Sequence, residues 1–221
     1  MSDITFRSDL RVTYIDSMGD DKRIAQAARV STGSDQSDRP HEGLVKRLWR
    51  DQHTSTFEHN TLTVMVEVPI FVAREWHRHR TFAYNEISAR YSEVAPVFYV
   101  PGEDRPLVQT GKAMDYRREL GDEIQARAAS DLHGSVARRA WVAYQSMLEA
   151  GIAREVARNV LPVSMYTGFY ATANLRNWLH FVELRTDEAA LWEIRQAALM
   201  VEGIIAGLWP VAHGAFAEST R

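Results

Sequence analysis

The nine residues Thr61–Pro69, TLTVMVEVP, constrain the fold of this chain more tightly than any other stretch. Leu62, Val64, Val66 and Val68 alternate with Thr63, Met65 and Glu67, the two-residue period of a strand that turns one face to a core. Pro69 ends the alternation and suits the first turn of a helix, predicted from about Ile70 to His79. On either side the pattern switches between helices and strands. Asp9–Met18 reads as an opening strand, and DKRIAQAARV and HEGLVKRLWRDQ as amphipathic helices joined by the polar loop STGSDQSDRP. Val97–Val100 reads as a short strand followed by a turn at PGEDRP. A long helix is predicted from about Asp115 to Ala150, where Val136, Ala140, Tyr144 and Leu148 recur every fourth position and Gly151 makes a stop. AREVARNVLP reads as a helix ended by Pro162, SMYTGFYATAN as an extended segment, and Arg176–Leu184 and Asp187–Leu208 as closing helices. The expected class is α/β (α+β), with helices dominating and no internal repeat or linker.

A length of 221 residues suits one domain, and 45% hydrophobic residues supply a core. The net charge of −3 means that any anion-binding surface must be local. The absence of cysteine removes disulfides, thiolate-held metals and thiol nucleophiles. The N-terminal MSDITFRSDL lacks the basic and apolar regions of a secretory signal. Ala197–Ala217 is the most apolar tract, but Glu202, three glycines and Pro210 interrupt it, so a buried helix is expected rather than a membrane span. These features predict a cytoplasmic protein.

The local charge lies in Arg74–Glu93, REWHRHRTFAYNEISARYSE, with four arginines, two histidines, three glutamates and no lysine. Arginine offers planar, forked contacts to phosphates and carboxylates. On a helix reaching His79, Arg74 and Arg78 share a face, and the basic groups complement the helix C-terminus. Beyond Arg80 the polar residues follow neither a helical nor a strand period, as in a loop that builds a site. His77 and His79 form a poor metal pair on a helix, and nothing fixes His53, His59 or Glu58 near them, so no metal is expected. Nucleic-acid binding is disfavoured because Glu75, Glu86 and Glu93 neutralise a compact cluster. A small ligand carrying a phosphate suits the residues better.

Arg78-His79-Arg80, Asn85-Glu86, Ser88 and Arg90-Tyr91 resemble the signature of the flavin-dependent thymidylate synthases, RHR-x-x-S-x-N-E-x-S-x-R-Y. AARVS and HTSTFEH upstream, and REVARNVLP, NLRNWLHFVELR and WEIR downstream, extend the resemblance over most of the chain. It implies that family's fold, with helices around a small mixed or antiparallel sheet. It also implies reductive methylation of dUMP to dTMP, with methylenetetrahydrofolate as carbon donor, FAD as cofactor and NADPH as reductant. Glu75, Arg78, Glu86, Ser88, Arg90, Arg158 and Arg185 would hold dUMP; Ser55, Arg78, His79, Arg80, Glu86, Asn174, Arg176 and His180 would hold FAD. Arg185 and Ser88 stand at catalytic positions, Arg185 as the cation that polarises the uracil ring. The family's homotetramer, with sites between subunits, is a further expectation.

Three positions depart from the pattern: Ala83 replaces the first serine of the signature, and Ala189 and Leu191 replace a histidine and a glutamine before WEIR. They leave two rival readings, a flavin enzyme that modifies another pyrimidine nucleotide, for instance by hydroxymethylation, and a nucleotide-binding homologue without turnover. Plainer roles are also open: ion pairs for Arg78, Arg90 and Arg185, a turn cap for Ser88, and core packing for His53, His59 and His180.

Overall fold

The computed structural model describes residues 3–31, 33, 40–112 and 115–220; residues 32 and 34–39 of the predicted polar loop lie outside them. The chain divides into two compact units, Met1–Arg11, Glu67–Arg78 and Glu86–Phe169 in the first, and Val12–Val66, His79–Asn85 and Tyr170–Arg221 in the second. The expected mixed α/β class is what the elements form, with small sheets and many helices.

Strand β1 (Thr5–Arg7) pairs in parallel with β5 (Val97–Tyr99) in the first unit. A four-stranded sheet has the order β2 (Arg11–Met18), β3 (Thr61–Pro69), β8 (Tyr166–Asn174), β4 (Ala83–Glu86). The alternation in β3 is obeyed: Leu62, Val64, Val66 and Val68 are fully buried, while the residues between them are partly exposed.

In the first unit, α3 (Ile70–Trp76) follows β3 without a loop. Pro69 occupies its N-cap, and the amides of Ile70 and Phe71 donate instead to the carbonyls of Met165 and Val163, at 2.9 and 3.0 Å. The helix ends at Trp76, short of the predicted His79, so Arg78 sits in a turn and not one helical turn from Arg74. Residues Asp115–Glu119 form β7, which pairs antiparallel with β6 (Val108–Lys112), where the sequence predicts helix. The long helix α4 starts only at Glu123 and runs to Glu149. Its start is set by a capping box: Asp122 accepts from the Gln125 amide at 2.8 Å, and the Gln125 side chain accepts from the Asp122 amide at 2.9 Å. Phe98, Ala137, Trp141, Tyr144, Ala157 and Met165 form the core of this unit, tying α4 to β5 and to α5 (Arg154–Ala157).

The second unit holds α1 (Asp21–Val30), α2 (Glu42–Arg50), a 3-10 turn at Thr54–His59, α6 (Leu175–Arg185), α7 (Trp192–Leu208) and α8 (Pro210–Thr220). The apolar tract read as one helix is two, separated at Trp209 and Pro210, because proline cannot donate an amide to the preceding turn. Among the described residues no helix is long and apolar enough to cross a membrane.

Five elements meet around Gly19, Asp21 and Asn60. Asn60 is fully buried; its side-chain amide donates to the Asp20 carbonyl at 3.0 Å, and its own carbonyl accepts from the first amide of α6, Leu175, at 2.8 Å. Trp209 Nε1 donates to the Gly19 carbonyl at 3.2 Å. Asp21, in the first turn of α1, caps α8 by accepting from the Val211 and Ala212 amides, each at 2.9 Å. Gly19 has a φ of +85°, and a Cβ there would lie 1.9 Å from Asn60 Oδ1. Gly19→Ala is therefore expected to cost more than about 2 kcal/mol, through both the positive φ and the displacement of Asn60. Urea unfolding checks this, and a loss below about 0.5 kcal/mol would show that the junction yields without cost.

Candidate functional site

The residues predicted to hold a nucleotide fall in the first unit, apart from Arg185, and those predicted to hold a flavin fall in the second, apart from Arg78 and Glu86.

In the first unit, Glu86 ends β4 and accepts from Thr167 Oγ1 of β8 at 2.5 Å, while the Ile87 amide donates to the Gly168 carbonyl at 2.9 Å. These bonds hold the signature against a strand before it leaves as a loop. Ser88 does cap a turn, its Oγ accepting from the Arg90 amide at 3.3 Å. Arg90 Nε donates to Glu155 Oε2 of α5 at 3.0 Å, and Arg154 lies 3.6 Å from Glu93, so two ion pairs of opposite sense link the loop to α5. Arg158 follows directly, opening the 3-10 turn Arg158–Val160. Glu155 and Arg158 are three positions apart on a helical path and share a face, which brings Arg90 to the side of α5 that carries Arg158. Glu75 is partly buried in the last turn of α3, and Arg78 is exposed.

The second unit gathers its residues along α6. Asn174 caps the helix, its Oδ1 accepting from the Asn177 amide at 3.0 Å. Arg176 donates to Glu58 at 2.6 Å, joining α6 to the 3-10 turn that carries Ser55. His180 lies one turn beyond Arg176 and 3.6 Å from Glu183. Arg185, the last residue of α6, donates from Nε to His79 Nε2 at 2.9 Å. Packing of His79 against Phe181 (ring centroids 4.9 Å apart) and Phe82 (6.0 Å) keeps it buried. Burial, then the charges of Arg185 and His180, lower its pKa from 6.5 to about 4, so the ring is neutral at pH 7. Tyr84 donates its hydroxyl to the His79 carbonyl at 3.1 Å, and burial raises the phenol above its ordinary pKa. Arg80 and Ser55 are exposed.

His53, His59 and His180 are exposed, so none packs as a core histidine. Ala83 is exposed at the start of β4. Sequence reasoning missed Glu155 and Thr167, the acceptor for Arg90 and the donor to Glu86, and it weighed Glu58 only as a metal ligand. Their signal was weak, because each acts on a partner far away in sequence; Glu58 and Glu155 lie inside HTSTFEH and REVARNVLP, but neither stretch indicates what its carboxylate pairs with. A cavity of about 280 Å³ by α1 and α2 is lined by Arg29, Arg47, Leu48 and His53 among others, and by none of the predicted ligand residues.

In class, this is a mixed α/β protein with small sheets and many helices. The sequence model of the thymidylate synthase complementing protein family, Thy1, matches residues 13–211. A flavin-dependent thymidylate synthase from Streptomyces avermitilis is 41% identical over 98% of this chain and 94% of its own. One from Thermus thermophilus is 43% identical, covering 94% of this chain and 75% of its own. The crystal structure of a UMP/dUMP methylase, PolB from Streptomyces cacaoi, bound with 5-Br dUMP, superposes with a TM-score of 0.91 at 41% identity over 97% of both chains. The same enzyme bound with 5-Br UMP gives a TM-score of 0.90 at 42% identity over 96% of both chains. The chain belongs to the Thy1 family, that of the flavin-dependent thymidylate synthases.

The neutral state of His79 makes stability depend on pH. The unfolded ring takes a proton below 6.5 and the folded ring only near 4, so its stabilising contribution is complete above pH 6.5 and is lost as pH falls to about 4. The thermal midpoint of the protein is expected to fall more steeply across that window than that of His79→Met. Parallel declines in a calorimetric pH series would contradict a neutral buried ring.

Proposed function

We propose that the protein is a flavin-dependent thymidylate synthase that converts dUMP to dTMP by reductive methylation. The observation that carries this is the 41% identity to an enzyme of that name across 98% of the chain. Methylenetetrahydrofolate is the proposed carbon donor and NADPH the proposed reductant. The 221 residues are taken as one functional domain, working in the cytoplasm as a homotetramer. In that assembly Arg90 and Arg158 would serve a nucleotide held by another copy.

Arg90 and Arg158 suit the nucleotide phosphate, with Glu75, Arg78, Glu86 and Ser88 as further nucleotide contacts. The donor set of the second unit fits a flavin dinucleotide: Arg176 and His180 share one exposed helix face, and Ser55 stands on the 3-10 turn bonded to it through Glu58. Asn174, His79, Arg80, Arg78 and Glu86 complete the proposed FAD contacts. When bound, FAD supplies the electron chemistry, and the protein supplies positioning and charge. The absence of cysteine accords with this, because no protein thiol is available to attack the uracil ring. Arg185 directs a fixed cation at the pyrimidine, lowering the cost of negative charge as the N3 proton is lost.

A second reading follows from PolB, described as a UMP/dUMP methylase: this chain also takes the ribonucleotide. Incubation with methylenetetrahydrofolate, FAD and NADPH, once with dUMP and once with UMP, followed by mass analysis of the pyrimidine, tests both. Thymidylate is the expected product. If none forms while the bound flavin is reducible, the proposed reaction is wrong; an unmodified UMP arm removes the second reading. Arg185→Ala is expected to lower kcat by roughly 10²- to 10³-fold while FAD still binds. Turnover near the wild-type rate in that variant would remove the role given to Arg185.

A further inference from the structure

The bond between Arg185 and His79 couples two residues that the family resemblance assigns to different ligands. An imidazole nitrogen that accepts a hydrogen bond carries no proton. Since Arg185 Nε donates to His79 Nε2 at 2.9 Å, the proton of the neutral ring sits on Nδ1. The ring has little freedom to turn. Phe181 and Phe82 flank it edge-on, and Phe82 is braced in turn by Trp178 at 4.5 Å between ring centroids. The backbone is held as well, by the Tyr84 hydroxyl on the His79 carbonyl at 3.1 Å and by the Phe82 amide on the same carbonyl at 3.2 Å.

Arg185 meets this fixed acceptor through Nε, at the base of its planar fork. A bond at that nitrogen sets the direction and rotation of the whole guanidinium plane. The position of Arg185 strengthens the point, because the end of a helix constrains its terminal side chain less than the middle does. We propose that His79 is a positioning residue for Arg185: a neutral imidazole, protonated at Nδ1, whose Nε2 sets the plane of the guanidinium presented to the pyrimidine ring. This rests on the role proposed above for Arg185. It adds that a histidine of the arginine-rich signature acts through another residue as well as on the flavin. Among the described residues, Arg185 and His180 of α6 face the imidazole, and the Tyr84 phenol of β4 bonds the His79 carbonyl. Moving the proton to Nε2 would abolish the acceptor, and adding a second proton there would also set two cations against each other.

The first test needs neither flavin nor turnover. In protein carrying 15N-labelled histidine at pH 7, the His79 signals are expected to show an unprotonated Nε2 and a protonated Nδ1, and Arg185→Ala is expected to change the Nε2 shift. An Nε2–H tautomer, or no response to Arg185→Ala, overturns the assignment. The second test compares His79→Gln, whose side-chain oxygen can accept near the position of Nε2, with His79→Met, which offers no comparable acceptor. With flavin affinity measured separately and flavin saturating, kcat of His79→Met is expected to lie roughly 10-fold or more below that of His79→Gln, with similar KM for dUMP. Adding Arg185→Ala to His79→Met should then cost much less than Arg185→Ala alone. Equal kcat values for the two His79 variants, whether both high or both low, overturn the positioning role. Lack of thymidylate formation by the wild-type protein would instead refute the reaction and leave the spectroscopic result standing.

Discussion

Asn60 and its neighbours are the constraint on which the second unit depends. The end of β2, the start of α1, the start of β3 and the first turns of α6 and α8 are all bonded to Gly19, Asp20, Asp21 or Asn60. Buried backbone groups have to find partners, and here those of several elements find them in one place. The effect reaches the site through α6. Its first amide is fixed on the Asn60 carbonyl, and Trp178 donates to the Leu62 carbonyl at 3.0 Å, so the helix is registered against β3 before it reaches Arg185. The positions of Arg176, His180 and Arg185 along one helix follow from that anchoring.

The aromatic residues beside α6 extend this rigidity to the signature. Phe82, Trp178 and Phe181 make edge contacts with one another or with His79, and Tyr84 stacks on Phe82 at 5.9 Å with an interplanar angle of 11°. Such contacts fix orientation as well as burying area. They also account for the chemistry of His79, since the same burial that locks the ring disfavours its charged form. Geometry and protonation state therefore have one cause.

Much of this was legible in the sequence where a periodic pattern carried the information. The alternation of Thr61–Pro69, the mixed α/β class and the break after the strand at Pro69 all correspond to structure. The signature itself directed attention to Arg74–Glu93. Less legible were elements set by local caps and by partners distant in sequence. Asp115–Glu119 carries charges that read as helix, yet hairpin pairing with Val108–Lys112 makes it a strand. The signal for the real start of α4 was present in Asp122 and Gln125, a capping-box spacing that periodicity does not weigh. The strand Ala83–Glu86 exists through its place beside β8, which four residues without alternation could not announce. Contacts such as Arg90 with Glu155, 65 residues apart, have no local signature at all.

The two ion pairs between the signature loop and α5 set the loop apart from the aromatic cluster around His79. Arg90 and Glu155 have side chains 54% and 53% exposed, so water and dissolved ions reach them readily. Hydrophobic contacts such as those around Phe82 are not weakened by ionic screening. Moderate salt therefore acts selectively on this molecule: it slackens the tether of the loop that carries Arg90 and leaves the seat of Arg185 in place. The loop that carries Arg90 and the seat of Arg185 are thus held by forces with different sensitivities, and the ionic strength of the surroundings can adjust the first while the second stays constant.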